Sequence, residues 1–103
     1  DASFRPPGGE SRLDVAARTA PLLRELLDDA SWTEDAPVVV VAHGGTIAAM
    51  TAAVLDLPVD RWPVLGGLGN ASWVQVAAHG TAIEPSWRLD VWNASARVAS
   101  DVL

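Results

Sequence analysis

The sequence has no cysteine, no lysine and no long hydrophobic run, and each absence excludes a class of protein. Without cysteine, disulfides and thiolate metal sites are excluded, while the redox compartment stays undetermined. Seven arginines stand against 13 acidic residues, which gives a net charge of −6. This balance argues against binding nucleic acid through its phosphates and against docking on an anionic membrane surface.

The apolar stretches are too short for a membrane span. The longest covers residues 36–42, whereas a transmembrane helix needs about 20 residues. The first ten residues, DASFRPPGGE, have neither the basic region nor the apolar core of a secretory signal. The chain of 103 residues is long enough for one domain or for part of a larger one. Because it begins without Met, we expect a processed, clipped or truncated product.

Two segments have the spacing of helices. Ser11 and Asp14 form a shortened capping box, and apolar residues then recur at helical spacing, which predicts an amphipathic helix over residues 12–29. Pro21 lies inside this helix and should kink it. The Ala-rich segment 46–55 predicts a second, buried helix.

Three segments are typical of strands. Residues 38–41 are four consecutive valines, which predicts a strand buried on both faces of a parallel sheet. Segments 71–78 and 87–92 alternate as strands do, and residues 79–86 are expected to join them as a hairpin. The order of elements predicts an α/β fold with one antiparallel edge strand. Because one doubly buried strand needs parallel neighbours, we expect further strands from upstream sequence.

The strongest functional pattern is VVVVAHGGT, residues 38–46. His43 follows a predicted strand, where open α/β sheets bind their ligands. Gly44 and Gly45 let a ligand approach their backbone N–H groups, and the next helix presents its N-terminus. The pattern predicts a phosphate site, with a capping histidine before an ordinary glycine turn as the structural alternative. An esterase oxyanion loop also ends in HGG, but the G-x-S-x-G elbow of those enzymes is absent from the sequence.

Other polar and aromatic residues have mainly structural explanations. Glu10 lies just before a helix N-terminus, where a carboxylate is stabilised. Arg18 is expected to pair with Asp14, four residues before it. His79 falls in a predicted loop and is expected to be exposed, and two histidines without clustered carboxylates do not predict a metal site. Trp62 is a candidate for a substrate wall or a dimer contact.

An ordered set of motifs resembles the second half of the histidine phosphatase (phosphoglycerate mutase-like) superfamily. The set comprises GES-x-x-D-x-x-x-R-x-x-P at residues 9–21, the valine run ending in AHG at 42–44, NAS at 70–72, and WRL at 87–89 with Asn93. The resemblance spans residues 6–97. Three stretches, residues 8–18, 62–73 and 87–95, resemble one particular phosphatase of this superfamily.

The resemblance implies both a fold and an activity. The fold would be α/β, a doubly wound phosphoglycerate mutase-like sheet, with residues 1–103 as the C-terminal portion of a single domain. The activity would be hydrolysis of a phosphorylated sugar acid through a phosphohistidine, without a cofactor, in a cytoplasmic homodimer. His43 would stabilise charge in the transition state, and His43, Gly44 and Gly45 would bind phosphate.

The sequence departs from the family pattern at the nucleophile. The superfamily carries its nucleophilic histidine in an Arg-His-Gly motif, which is absent from these residues. We therefore expect the nucleophile, the arginine clamp and the catalytic acid in a missing N-terminal half, and we expect this chain alone to be inactive. Two alternatives stay open: a phosphotransferase of the phosphoglycerate mutase type, and a non-catalytic fragment that binds anions or oligomerises.

Overall fold

The computed structural model describes residues 1–28, 37–80 and 85–96. In chain order, its elements are α1 (Arg12–Asp28), α2 (Gly44–Val54), a 3₁₀ helix (Val59–Val64), β1 (Trp73–Gly80) and β2 (Pro85–Ala94). None of the helices in these ranges is both long enough and apolar enough to cross a membrane.

The N-terminus of α1 is closed by the predicted capping box. The Ser11 hydroxyl accepts a hydrogen bond from the Asp14 backbone N–H at 3.1 Å, and the Asp14 carboxylate accepts one from the Ser11 N–H at 2.9 Å. The Leu13 N–H donates to the Ala2 carbonyl at 3.1 Å. The bond from the Ser11 backbone, with a further one from Arg5, lowers the pKa of the Asp14 carboxyl below its usual value. The start of the first helix is therefore confirmed.

Arg18 pairs with Glu10 and not, as predicted, with Asp14. Its Nε and Nη2 donate to the two carboxylate oxygens of Glu10 at 3.0 and 2.9 Å. The Asp14 carboxylate is already engaged by the Ser11 N–H and the Arg5 side chain, so Arg18 turns to the free carboxylate before the helix. This pairing gives Glu10 the structural role expected of it.

The core of the described residues is the contact between α1 and α2. The most buried apolar residues are small, apart from one methionine: Ala16, Ala20, Ala49, Met50 and Ala52. Small side chains at the contact let two helices pack closely. Thr51 is also buried, and its hydroxyl donates to the Ile47 carbonyl at 2.7 Å. The predicted buried helix is confirmed, although it begins at Gly44, two residues earlier than expected.

β1 and β2 pair antiparallel, as the two alternating segments predict. In the register, Ala77 lies opposite Arg88, and the pairing is irregular between Trp73 and Val76. His79 lies inside β1 and not in a loop, although it is exposed as expected. Residues 81–84, which hold the predicted turn, lie outside the described residues.

The valine run does not form the predicted buried strand. Residues 38–41 have no regular secondary structure, and Val39 and Val41 are 80% and 92% exposed. A strand of this composition needs partner strands beside it and helices over both faces. Within the described ranges the sheet consists of β1 and β2, each paired only with the other. The composition therefore indicates a strand whose partners are not among the described residues.

Candidate functional site

His43 occupies the N-cap position of α2. Its backbone is extended, with φ −75° and ψ 152°, and its exposed side chain makes no capping hydrogen bond. The first hydrogen bond of the helix runs from the Ile47 N–H to the His43 carbonyl at 3.0 Å. Helix geometry leaves the backbone N–H groups of Gly44, Gly45 and Thr46 without acceptors inside the helix. The structure thus brings the three predicted site residues together on one open helical turn.

The electrostatics of this turn favour an anion. Unpaired N–H groups carry the positive end of the helix dipole, and the adjacent imidazole can donate a further hydrogen bond. The first turn of α2, which is fully described, contains no acidic residue. The arrangement can hold a tetrahedral oxyanion and donate to it from both backbone and side chain.

The two glycines of the turn have different surroundings. A Cβ on Gly44 would meet the Leu68 Cβ at 3.5 Å, which is an ordinary contact. A Cβ on Gly45 would overlap the guanidinium of Arg12, whose Cζ would lie only 2.6 Å away. Gly45 therefore lets a positive charge from α1 lie directly against the backbone of the first turn of α2.

Arg12 is the residue of the candidate site that sequence reasoning missed. Helical spacing assigns it to the polar side of α1, and only the packing of α1 against α2 brings it to Gly45. The one signal in the sequence is its position directly after the capping Ser11, which puts it at the end of the helix. Among residues 1–28, 37–80 and 85–96, Arg12 makes no ion pair, whereas three other arginines do: Arg5, Arg18 and Arg88.

A cavity of about 880 Å³ lies beside the first turn of α2. Gly44, Gly45 and Arg12 line the cavity, and so does Trp62 of the 3₁₀ helix. The Trp62 indole is fixed because its Nε1 donates to the Leu57 carbonyl at 3.0 Å. Trp62 therefore lines the cavity, and its role as a substrate wall or a dimer contact stays a prediction.

His43 and Arg12 differ in their relation to the cavity beside the first turn of α2. The exposed His43 is not part of the cavity wall, whereas Arg12 is. Gly44 and Gly45 follow His43 directly in the chain and also line the cavity. A ligand bound at the turn can therefore meet the imidazole with one end and the cavity with the other.

Asn93, near the end of β2, forms a hydrogen bond with the loop that contains the cavity-lining residues 66–68. Its backbone is left-handed, with φ 57°, which asparagine tolerates better than most residues. Its side-chain oxygen accepts a hydrogen bond from the Gly69 N–H at 2.9 Å, and the Ser72 hydroxyl donates to the Gly69 carbonyl at 2.7 Å. Residues 66–68, which line the cavity, are thereby held next to the sheet.

Residues 1–95 match the Histidine phosphatase superfamily (branch 1), and the chain belongs to this superfamily. The family resemblance carried by the ordered motifs is therefore confirmed.

The curated relatives carry one name. A glucosyl-3-phosphoglycerate phosphatase of Mycolicibacterium vanbaalenii is 60% identical over 100% of this chain and 51% of its own length. The protein of the same name from Mycobacterium tuberculosis (strain H37Rv) is 58% identical over 100% of this chain and 50% of its own length. The chain thus spans about half the length of the curated relatives that it matches.

Solved structures confirm the predicted α/β fold of the phosphoglycerate mutase type. The native mycobacterial glucosyl-3-phosphoglycerate phosphatase superimposes with a TM-score of 0.84 at 56% identity, over 93% of this chain and 49% of that one. Its complex with VO3 gives a TM-score of 0.86 at 57% identity, over 92% of this chain and 48% of that one. A further structure of that enzyme contains inorganic phosphate.

Proposed function

We propose that residues 1–103 are the C-terminal portion of a single phosphatase domain that, when complete, hydrolyses glucosyl-3-phosphoglycerate to glucosylglycerate and phosphate. The observation that carries this proposal is the open first turn of α2 beside the exposed His43. Two relatives named glucosyl-3-phosphoglycerate phosphatase support this substrate. Because those relatives are about twice as long as this chain, they also support a further half of the domain.

His43 is proposed to act on the phosphoryl group in the transition state. It donates a hydrogen bond to a phosphoryl oxygen as negative charge builds up there, while the N–H groups of Gly44 and Gly45 bind neighbouring oxygens. Donors held by a helix need no rearrangement during the reaction, so they stabilise the transition state effectively. The VO3 and phosphate complexes of the mycobacterial relative support a site for such anions in this fold.

The upstream half is proposed to supply the nucleophile. A histidine nitrogen there attacks phosphorus, the bond from phosphorus to the ester oxygen breaks, and an acid from the same half protonates the leaving oxygen. Water then attacks the phosphohistidine and releases phosphate. The same half would also supply strands that pair with residues 38–41, whose valines are exposed in this chain. Its arginines would clamp the remaining phosphoryl oxygens.

The cellular setting is part of the proposal. We place the complete enzyme in the cytoplasm as a homodimer, because the resemblance implies both. Trp73, which is 48% exposed on β1, offers apolar surface for a subunit contact. The resemblance further implies a role in methylglucose lipopolysaccharide biosynthesis. A monomeric mass for the complete enzyme by light scattering would contradict the homodimer.

Product analysis tests the proposed function. The complete enzyme, incubated with glucosyl-3-phosphoglycerate, should release free phosphate and show a trapped phosphohistidine upstream of Asp1 in the longer chain. Residues 1–103 alone should release none. Isomerised substrate without free phosphate would establish the mutase alternative. Phosphate or vanadate binding by the complete protein without any turnover would establish a non-catalytic anion-binding module.

A further inference from the structure

We propose that Arg12 binds the carboxylate of the substrate and thereby makes the site prefer phosphorylated sugar acids over uncharged phosphorylated polyols. This inference rests on the function proposed above and concerns a residue to which neither the sequence motifs nor the family pattern gives a role.

The first argument is the state of the Arg12 guanidinium. It is exposed, and no carboxylate in the described ranges pairs with it, whereas Arg18 on the same helix is held by Glu10 through two hydrogen bonds. A guanidinium has donors arranged as a planar fork that matches a carboxylate. Arg12 therefore has its donors available for a ligand.

The second argument is the position of the guanidinium. It lies against Gly45 on the cavity side of the first turn, whereas His43 lies outside the cavity wall. The reacting phosphoryl group must meet His43, so it occupies the other side of the turn. Arg12 is then left for a part of the substrate that does not react.

The third argument is the composition of the cavity. The residues that line it also include Asp1, Asp60 and Trp62. Acidic residues in the lining disfavour a phosphoryl dianion in the cavity, whereas carboxylates can accept hydrogen bonds from sugar hydroxyls. A ligand with a single carboxylate at Arg12 and hydroxyls elsewhere fits these charges. The volume of about 880 Å³ lies within the range of small-molecule sites.

Two substrates that differ only in the carboxylate test whether Arg12 binds this group. 3-Phosphoglycerate and glycerol 3-phosphate differ by a carboxylate in place of a hydroxymethyl group. In the complete enzyme, Arg12→Gln should raise KM for 3-phosphoglycerate and for glucosyl-3-phosphoglycerate roughly 10- to 100-fold, as expected for losing hydrogen bonds to a charged group. The kcat values should stay unchanged, because the contact is made equally in the ground and transition states. KM for glycerol 3-phosphate should also stay unchanged.

Two further variants sharpen the test. Arg12→Lys keeps the charge but loses the fork, so its KM for the carboxylated substrates should lie between those of wild type and Arg12→Gln. Arg24→Gln is the matched control, because Arg24 is an exposed arginine of the same helix that does not line the cavity. Its kinetic constants should equal those of wild type for all three substrates.

Three outcomes would overturn the proposal. Equal losses on glycerol 3-phosphate and 3-phosphoglycerate would assign Arg12 to the phosphoryl group. Wild-type kinetics for Arg12→Gln on all substrates would remove Arg12 from the site while leaving the phosphatase function intact. A wild-type enzyme that releases no phosphate from glucosyl-3-phosphoglycerate would overturn the proposed function, and the Arg12 proposal with it.

Discussion

The N-termini of α1 and α2 are built in opposite ways. At α1, the Ser11 hydroxyl and the Asp14 carboxylate accept hydrogen bonds from backbone N–H groups, and a negative charge lies in the first turn. At α2, the His43 side chain caps nothing, the next two residues are glycines, and the first turn has no acid. The two ends lie close together, since Arg12 of α1 touches Gly45 of α2.

Because of this difference, we expect the α1 end to contribute to stability and the α2 end to contribute to function. A helix end with its own caps gains free energy from them, and it has fewer free N–H groups for a ligand. An end without caps gives up that stabilisation but keeps donors and positive potential for an anion. We therefore expect mutations at the α1 end to change the free energy of unfolding, and mutations at the α2 end to change catalysis.

The largest effect is expected from His43→Ala in the complete enzyme. It should lower kcat by roughly 10²–10³, the usual consequence of losing one donor to a developing oxyanion. The free energy of unfolding should stay the same, because the imidazole makes no capping bond. His79→Ala is the matched control, with an exposed histidine in β1. Equal kcat values for the two variants would mean that the α2 end is not catalytic.

Gly45→Ala should produce the next largest effect. The added methyl group displaces the flexible end of Arg12, so KM for 3-phosphoglycerate should rise about tenfold, the equivalent of one lost hydrogen bond to a charged group. The double variant with Arg12→Gln should show no additional loss, because both changes remove the same contact. Additive losses in the double variant would mean that Gly45 acts independently of Arg12.

Ser11→Ala tests the α1 end. Loss of the cap should lower the free energy of unfolding by about 1 kcal/mol, measured by urea denaturation of the complete enzyme. The kcat should not change, because the hydroxyl is engaged by the Asp14 backbone N–H. Ser95→Ala, at an exposed serine, serves as the control. A large fall in kcat with unchanged stability would reverse the roles assigned to the two helix ends.

The smallest effect concerns pH. Hydrogen bonds hold the pKa of Asp14 below its ordinary value of 3.8 in the folded chain. Its ionised form therefore stabilises the fold above that value, and the stabilisation is lost as pH falls through the lowered pKa. Asp14→Asn should be less stable than wild type at neutral pH, and the difference in urea midpoints should shrink in acid. A difference that does not depend on pH would exclude this linkage.

Local patterns predicted the helices and the sheet pair, because the chemistry that forms them lies within a few residues. The capping box at Ser11 and Asp14 and the alternation in 71–78 and 87–92 are such patterns. The strand predicted for the valine run is not observed. Such a strand forms only beside partner strands, and those are not among the described residues of this chain. The pairing of Arg18 depended on competition for Asp14, which spacing alone does not reveal.

The site was predictable only in its local part. His43, Gly44 and Gly45 are consecutive, so one motif brings them together. Arg12 is 33 residues from Gly45 by residue number, and only the packing of the two helices makes them neighbours. The place of Trp62 on the cavity wall was suggested by its loop but depended on the 3₁₀ helix that holds it.

The central claim is that the open end of α2 binds the phosphoryl group beside His43. The most direct measurement follows the backbone amide resonances of the isotope-labelled complete enzyme during titration with vanadate. The account predicts saturable shifts of Gly44, Gly45 and Thr46, and a higher vanadate concentration for half-saturation in His43→Ala. Saturable binding that leaves these three amides unshifted would contradict it.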